Sequence, residues 1–177
     1  PISEEIARDE LLRIAPDNDE YILEMAAVQK ARGNEDAFVD TTLRACRIRE
    51  EQNRAQDNVA LFDQLQRQLD KRPDARLFFG RALEDAGQKA KACEQFLLAA
   101  EKLAAHDLEQ CVEALQLATA VDPSNIEARE LLVKHLERLD RTEEALTELI
   151  ALGNDALEKE DTARAKDFLQ RAAAAGS

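Results

Sequence analysis

A chain of 177 residues and 19.8 kDa can hold one ordinary domain or one short repeat array. Leucine (24) and alanine (31) dominate while Gly (5), Pro (4) and Trp (0) are scarce, which disfavours sandwiches, barrels and sheets of β-branched runs. The 24 basic and 37 acidic residues leave a net charge of −13 and no basic stripe, so duplex DNA, RNA and anionic membranes are disfavoured as targets.

Apolar residues still make up 45% of the chain, too many for a disordered polymer. What is left is a folded, all-helical protein. Its punctuation predicts ten helices, over 3–14, 19–32, 35–52, 57–71, 74–86, 88–105, 108–121, 125–139, 142–159 and 162–175. Helix-entry chemistry marks the starts: Ser3, Asn18, Asp57, Asp74, Asn125 and Thr142, several with acids in the turn that follows. Pro16, Pro73 and Pro123 follow helix ends, because a residue without an N–H stops propagation. Gly33 and Gly87 sit where left-handed caps belong. Connections of about two to five residues imply antiparallel neighbours. The stretch Glu50–Arg54 reads as an extended helix end, so a bend is expected near 50–57.

Each segment carries one apolar stripe at spacings of three and four. Phe79, Leu83 and Ala86 form one, and Ala92, Phe96, Ala99 and Leu103 the next. A helix with a single stripe cannot hide it alone and must stack on its neighbours. Self-comparison supports stacking: Ala75–Thr119 matches Ala128–Ala173 at an offset of 53, then 54. Ala75-Arg76 pairs with Ala128-Arg129, Leu83 with Leu136, Ala92 with Ala145, Phe96 with Leu149 and Cys111 with Ala165. Small residues recur at close approaches and large ones in the gaps, as in a stacked array rather than a closed bundle.

These residues resemble tetratricopeptide repeats, helix pairs of about 34 residues with small, aromatic and proline positions in fixed order. Phe79-Gly80, Leu83, Gly87, Ala92, Phe96 and Ala99 carry the best match, and Cys111, Leu115, Ala118 and Pro123 continue it. The match is weakest over 35–72, where Thr41, Thr42 and Arg44 dilute the stripe. The spacing also departs from the family: helices 88–105 and 142–159 serve as the second of one pair and the first of the next. The resemblance implies antiparallel helix pairs stacked as a right-handed, somewhat irregular solenoid, one domain over 1–177. Because the chain begins at Pro1, it is expected to be a fragment of a longer, bacterial-style protein.

No catalytic constellation emerges. His106 sits in the turn before Asp107, where Gly usually stands, and His135 lies mid-helix; neither has a Cys or Ser at nucleophile–base spacing. Cys46, Cys93 and Cys111 lack any metal-ligand spacing, and their odd number fits a reducing compartment, the cytoplasm by default. Five scattered glycines supply neither a P-loop nor a dinucleotide fingerprint. No enzyme, cofactor or metal is expected, and no run approaches the roughly 18–20 apolar residues of a membrane span.

The resemblance implies a protein–protein interaction scaffold with a concave groove formed by the first helix of each pair. Carried over, its partner-binding positions are Asp74, Leu77, Arg81, Glu84 and Asp85, then Glu127, Glu130, Lys134, Glu137 and Arg138. These are mixed and acidic where the family's chaperone-binding members hold a Lys/Asn/Arg clamp for a terminal carboxylate. A basic or amphipathic protein segment is therefore the expected partner, although solubility alone also accounts for the acidity. The alternative is a ligand- or peptide-responsive regulatory domain.

Overall fold

The computed structural model describes residues 10, 11 and 13–176. Among them are nine α-helices, one 3-10 turn and no strand. They are α1 (Asp19–Ala31), α2 (Glu35–Glu51), the 3-10 turn (Ala55–Asn58), α3 (Val59–Leu69), α4 (Pro73–Asp85), α5 (Lys89–Leu103), α6 (Leu108–Val121), α7 (Ile126–Arg138), α8 (Thr142–Glu158) and α9 (Thr162–Ala175). All-helical stacking is thus as the sequence requires. The expected helix over 3–14 lies mostly outside the described residues; Glu10, Leu11, Arg13 and Ile14 have helical backbone.

Helix entries follow the expected chemistry in part. Asn18 and Asn125 accept from the backbone N–H of Tyr21 and Ala128, as N-caps should. Asn34, Asp107 and Asp161 do the same for Ala37, Gln110 and Arg164. Three expected caps differ. Asp57 lies inside the 3-10 turn, because the chain makes a tight extra turn before α3 begins. Asp74 is not a cap either: Pro73 occupies the first turn, where its missing N–H costs nothing, and Arg72 precedes it. Thr142 is already helical, with Arg141 before it.

Exits divide by backbone sign. Gly33 and Gly87 both take φ of 75°, the left-handed conformation expected of them. Asn53, Asp140 and Glu160 adopt the same region without being glycine, at φ of 58°, 56° and 59°. His106 does not; the α5–α6 corner closes instead with the N–H groups of His106 and Asp107 both donating to the Leu103 carbonyl.

Contacts divide the chain between Gly87 and Gln88 into two compact units. In the first, α1 lies along α2, and Ile22 packs with Ala45 and Ile48. Over 50–57, α2 ends at Glu51, Asn53 takes the left-handed conformation and the 3-10 turn follows. Buried Asn58 anchors that turn by donating its side-chain amide to the Cys46 carbonyl at 3.1 Å. Asp19 anchors it from the other side. Its side chain, 7% exposed, accepts from Arg49 at 2.6 Å and Arg54 at 3.1 Å, tying the start of α1 to the end of α2. Burial alone would raise the Asp19 pKa; the two guanidinium hydrogen bonds outweigh it and hold the carboxyl below its usual range. Farther on, Phe62 of α3 meets Phe79 of α4 with ring centroids 6.0 Å apart.

In the second unit every helix packs on its sequence neighbours, α5 to α6, α6 to α7, α7 to α8 and α8 to α9. Helix α8 therefore serves two neighbours, as its length suggests. Alanines stand at the closest approaches: Ala92, Ala99, Ala114, Ala118, Ala128 and Ala145 are all 0% exposed. Gly153 serves the same end, since a Cβ there would come within 2.7 Å of the Leu169 side chain. The internal repeat is also a repeat of environment. Ala75 and Ala128, Arg76 and Arg129, Leu83 and Leu136, and Phe96 and Leu149 are buried at both copies. Leu115 is buried whereas its match Leu169 is only half-buried, because no helix follows α9 among the described residues.

Two predictions follow from this packing. Ala92→Leu or Ala145→Leu should overpack a closed helix contact and cost about 1–3 kcal/mol, read as a lower denaturant midpoint at unchanged slope. Asp19→Asn should cost about 3 kcal/mol at neutral pH by leaving Arg49 without its anion. Because the folded Asp19 pKa is depressed, its contribution is present above the ordinary value of 3.8 and lost as pH falls through the folded value. Stability curves of parent and variant should accordingly converge in acid.

Candidate protein-interaction groove

A groove of about 630 Å³ opens in the second unit, with α5 and α7 as walls and α6 as floor. Its walls are apolar at Leu97, Leu98 and Leu131, and the floor is set by Cys111 and Leu115. Leu97 and Leu98 are half-buried and Leu131 is 37% exposed, so the groove presents uncovered hydrocarbon. Around this floor stand four carboxylates, Glu94 and Glu101 on α5, Asp122 before α7 and Glu127 on α7. No Lys or Arg lines it. An apolar trough with an anionic rim has a field that attracts cations and a floor that rewards apolar side chains.

Local structure explains why these side chains converge. On α5, Glu94, Leu97, Leu98 and Glu101 recur at three, four and seven, which places them along one helix face. On α7, Glu127, Leu131 and His135 recur at four and lie along the side turned to α5. Asn125 caps α7 and so fixes where that side begins. The polar members of the floor are quiet. Cys93 donates weakly to the Ala118 carbonyl at 3.7 Å, and burial, helped by Asp122, raises its thiol pKa. Burial raises Cys111 too, against the pull of Arg138. In the first unit the Cys46 thiol is pushed up to about 12 by burial, against Arg49. All three cysteines are free and buried, and high thiol pKa values make poor nucleophiles. His135 is held neutral by burial and by the adjoining Arg138 and Lys134, all of which lower its pKa.

The opposite side of α7 meets a second groove of about 660 Å³, walled by α6 and α8. Its centre is Arg129, 7% exposed, whose guanidinium donates to Glu148 and Asp155. Burial would lower the Arg129 pKa, but these two carboxylates raise it, so the cation is permanent and already neutralised. It offers no free charge to an anion. Among the described residues no cluster of three His, Cys, Asp or Glu is placed to hold a metal ion. No helix there is long and apolar enough to cross a membrane.

Of the sequence-predicted positions on α7, Glu127 lines the α5–α7 groove. Glu130 faces Arg171 of α9 at 4.0 Å, Lys134 and Glu137 are exposed, and Arg138 contacts the His135 ring at 3.2 Å. On α4, in the first unit, Asp74 is engaged by Arg72 at 2.8 and 2.9 Å, which lowers its pKa. Leu77 and Glu84 are half-buried, while Arg81 and Asp85 are exposed. Asp85 adds its repulsion to the burial that raises the Glu50 pKa. The groove residues absent from that set include Glu94, Leu97, Leu98, Glu101, Asp122 and Leu131. Their signal was in the sequence, as paired acids seven apart bracketing two leucines, but the family pattern directs attention to first helices only.

No protein-family model and no curated protein matches this chain. Among solved structures it is similar to the crystal structure of yeast Tom70, with 18% identity and a TM-score of 0.32 over 98% of this chain and 44% of that one. The chain thus spans less than half the length of that protein. At this level the likeness carries no argument, and function rests on the groove itself.

His135 yields a prediction for this unit. With its folded pKa depressed, the unfolded chain binds the extra proton, so stability should fall as pH drops through 6.5 toward the folded value. His135→Gln should flatten a plot of denaturant midpoint against pH over that interval.

Proposed function

We propose that this chain is a protein-interaction scaffold that holds a basic, amphipathic segment of a partner in the α5–α7 groove. The observation that carries this reading is the pairing of an uncovered apolar floor with four rim carboxylates and no lining cation. Apolar contact would supply affinity, and the rim would supply orientation and rate of encounter. The resemblance to tetratricopeptide repeats supports the same class of role. Three free, buried thiols fit work in a reducing compartment such as the cytoplasm.

The test is kinetic. A basic, amphipathic peptide selected against the immobilised chain should associate more slowly as salt rises, because exposed charges act over about 8–10 Å at physiological ionic strength. Glu94→Lys with Glu127→Lys should weaken binding at least tenfold, mainly through the on-rate. Thermal stability should change little, since exposed substitutions usually cost under about 0.5 kcal/mol. Salt-independent association, or full binding by the double variant, would overturn the reading.

A further inference from the structure

We infer that the occupant of the α5–α7 groove is an α-helix of about four turns, with basic residues seven apart along one flank. This rests on the function proposed above and specifies the conformation and register of the partner. Three observations lead to it. The α5 wall runs from Ala90 to Ala104, about 21 Å at 1.5 Å per residue, which matches a helix of about 14 residues. Both walls and the floor are helices, so a further helix would lie in the trough by the same ridge-and-groove packing that joins α5 to α6 and α6 to α7.

The decisive observation is what the lining lacks. An extended segment needs partners for the N–H and C=O groups that it turns toward the protein. Asn125 is the one neutral amide side chain in the lining, and it is committed. Its oxygen accepts from the Ala128 N–H at 3.0 Å, which holds the side chain at the helix entry. The rim carboxylates accept but cannot donate, and leucine and alanine do neither, so the carbonyl groups of an extended segment would go largely unpaired. A helix satisfies its own and presents only side chains. The register comes from Glu94 and Glu101, seven residues apart and therefore within about 20° of one face, separated by about 10 Å. Lys or Arg at the same seven-residue interval on a helix lying alongside would meet both, while leucines at three and four would cover Leu97, Leu98 and Leu131.

Three peptides of one length and charge test this against the full chain, by fluorescence anisotropy and far-ultraviolet circular dichroism. The first has leucines at helical spacing with two lysines seven apart on one flank. The second has its lysines five apart, which puts them on different faces. The third replaces two interior alanines of the first by prolines. The first should bind and gain helicity on binding; the second should bind at least tenfold more weakly, and the third not measurably. Glu101→Lys should weaken the first peptide by a similar factor, and exchanging the facing lysine for glutamate should restore it. Equal binding of the proline peptide, or no gain of helicity, would overturn the helical occupant and leave the groove's function standing. Equal binding of the first two peptides would overturn the register. Failure of all three at low salt would overturn the functional reading as well.

Discussion

Nearly everything in this protein follows from one constraint: each helix has a single apolar stripe and no means of covering it alone. Burial of a large apolar side chain contributes about 1.5–3 kcal/mol, and isolated helices of this length are marginal in water. Within each unit the helices must therefore cover one another, and short connections make the packed neighbours adjacent in sequence. Alanine at the closest approaches lets backbones draw together, and Phe79, Phe96, Leu115, Leu136 and Leu149 fill the space between. The packing is local in sequence, which lets one pattern be reused at an offset of 53 residues.

Charge is organised by the same economy of short range. The two buried arginines of the internal repeat, Arg76 and Arg129, are each paired inside their own unit, with Asp70 and with Glu148 and Asp155. Asp19 gathers Arg49 and Arg54 in the same way. Cations are thus drawn into structural pairs, and much of the surplus of carboxylates is left on the surface. Where that surplus borders uncovered leucine, as at Glu94, Glu101 and Glu127, it becomes a recognition feature rather than a solubility device.

The groove is itself a product of stacking. When α6 packs on both α5 and α7, those two helices are held side by side across it with a trough between them. Side chains of α7 then serve two surfaces: Leu131 and His135 face the α5 side, while Arg129, Leu132 and Leu136 line the α6–α8 side. Adjacent positions on one helix therefore have unlike chemistry, and a residue's spacing decides which surface it serves.

The sequence alone determined most of the secondary structure, because helix punctuation and stripe periodicity are local properties. Helices α6 and α9 begin and end where caps and spacing place them, and the left-handed exits at Gly33 and Gly87 need only a residue without a Cβ. It also determined most of the buried positions, although Ala86, expected in a stripe, lies beyond the end of α4 and is exposed, and Leu169 is only half-buried where Leu115 is covered. Tertiary structure decided what the sequence had no local means to specify. The 3-10 turn that displaces Asp57 from its cap depends on Asn58 reaching back to the Cys46 carbonyl and on Asp19 reaching across to Arg49 and Arg54. The partners of the exposed acids depend on which helices lie within reach: Glu130 faces Arg171, and Asp40 accepts from Arg72. The α5–α7 groove depends on two helices separated by a third. A stripe says that a helix must be covered; only packing decides which face is left open.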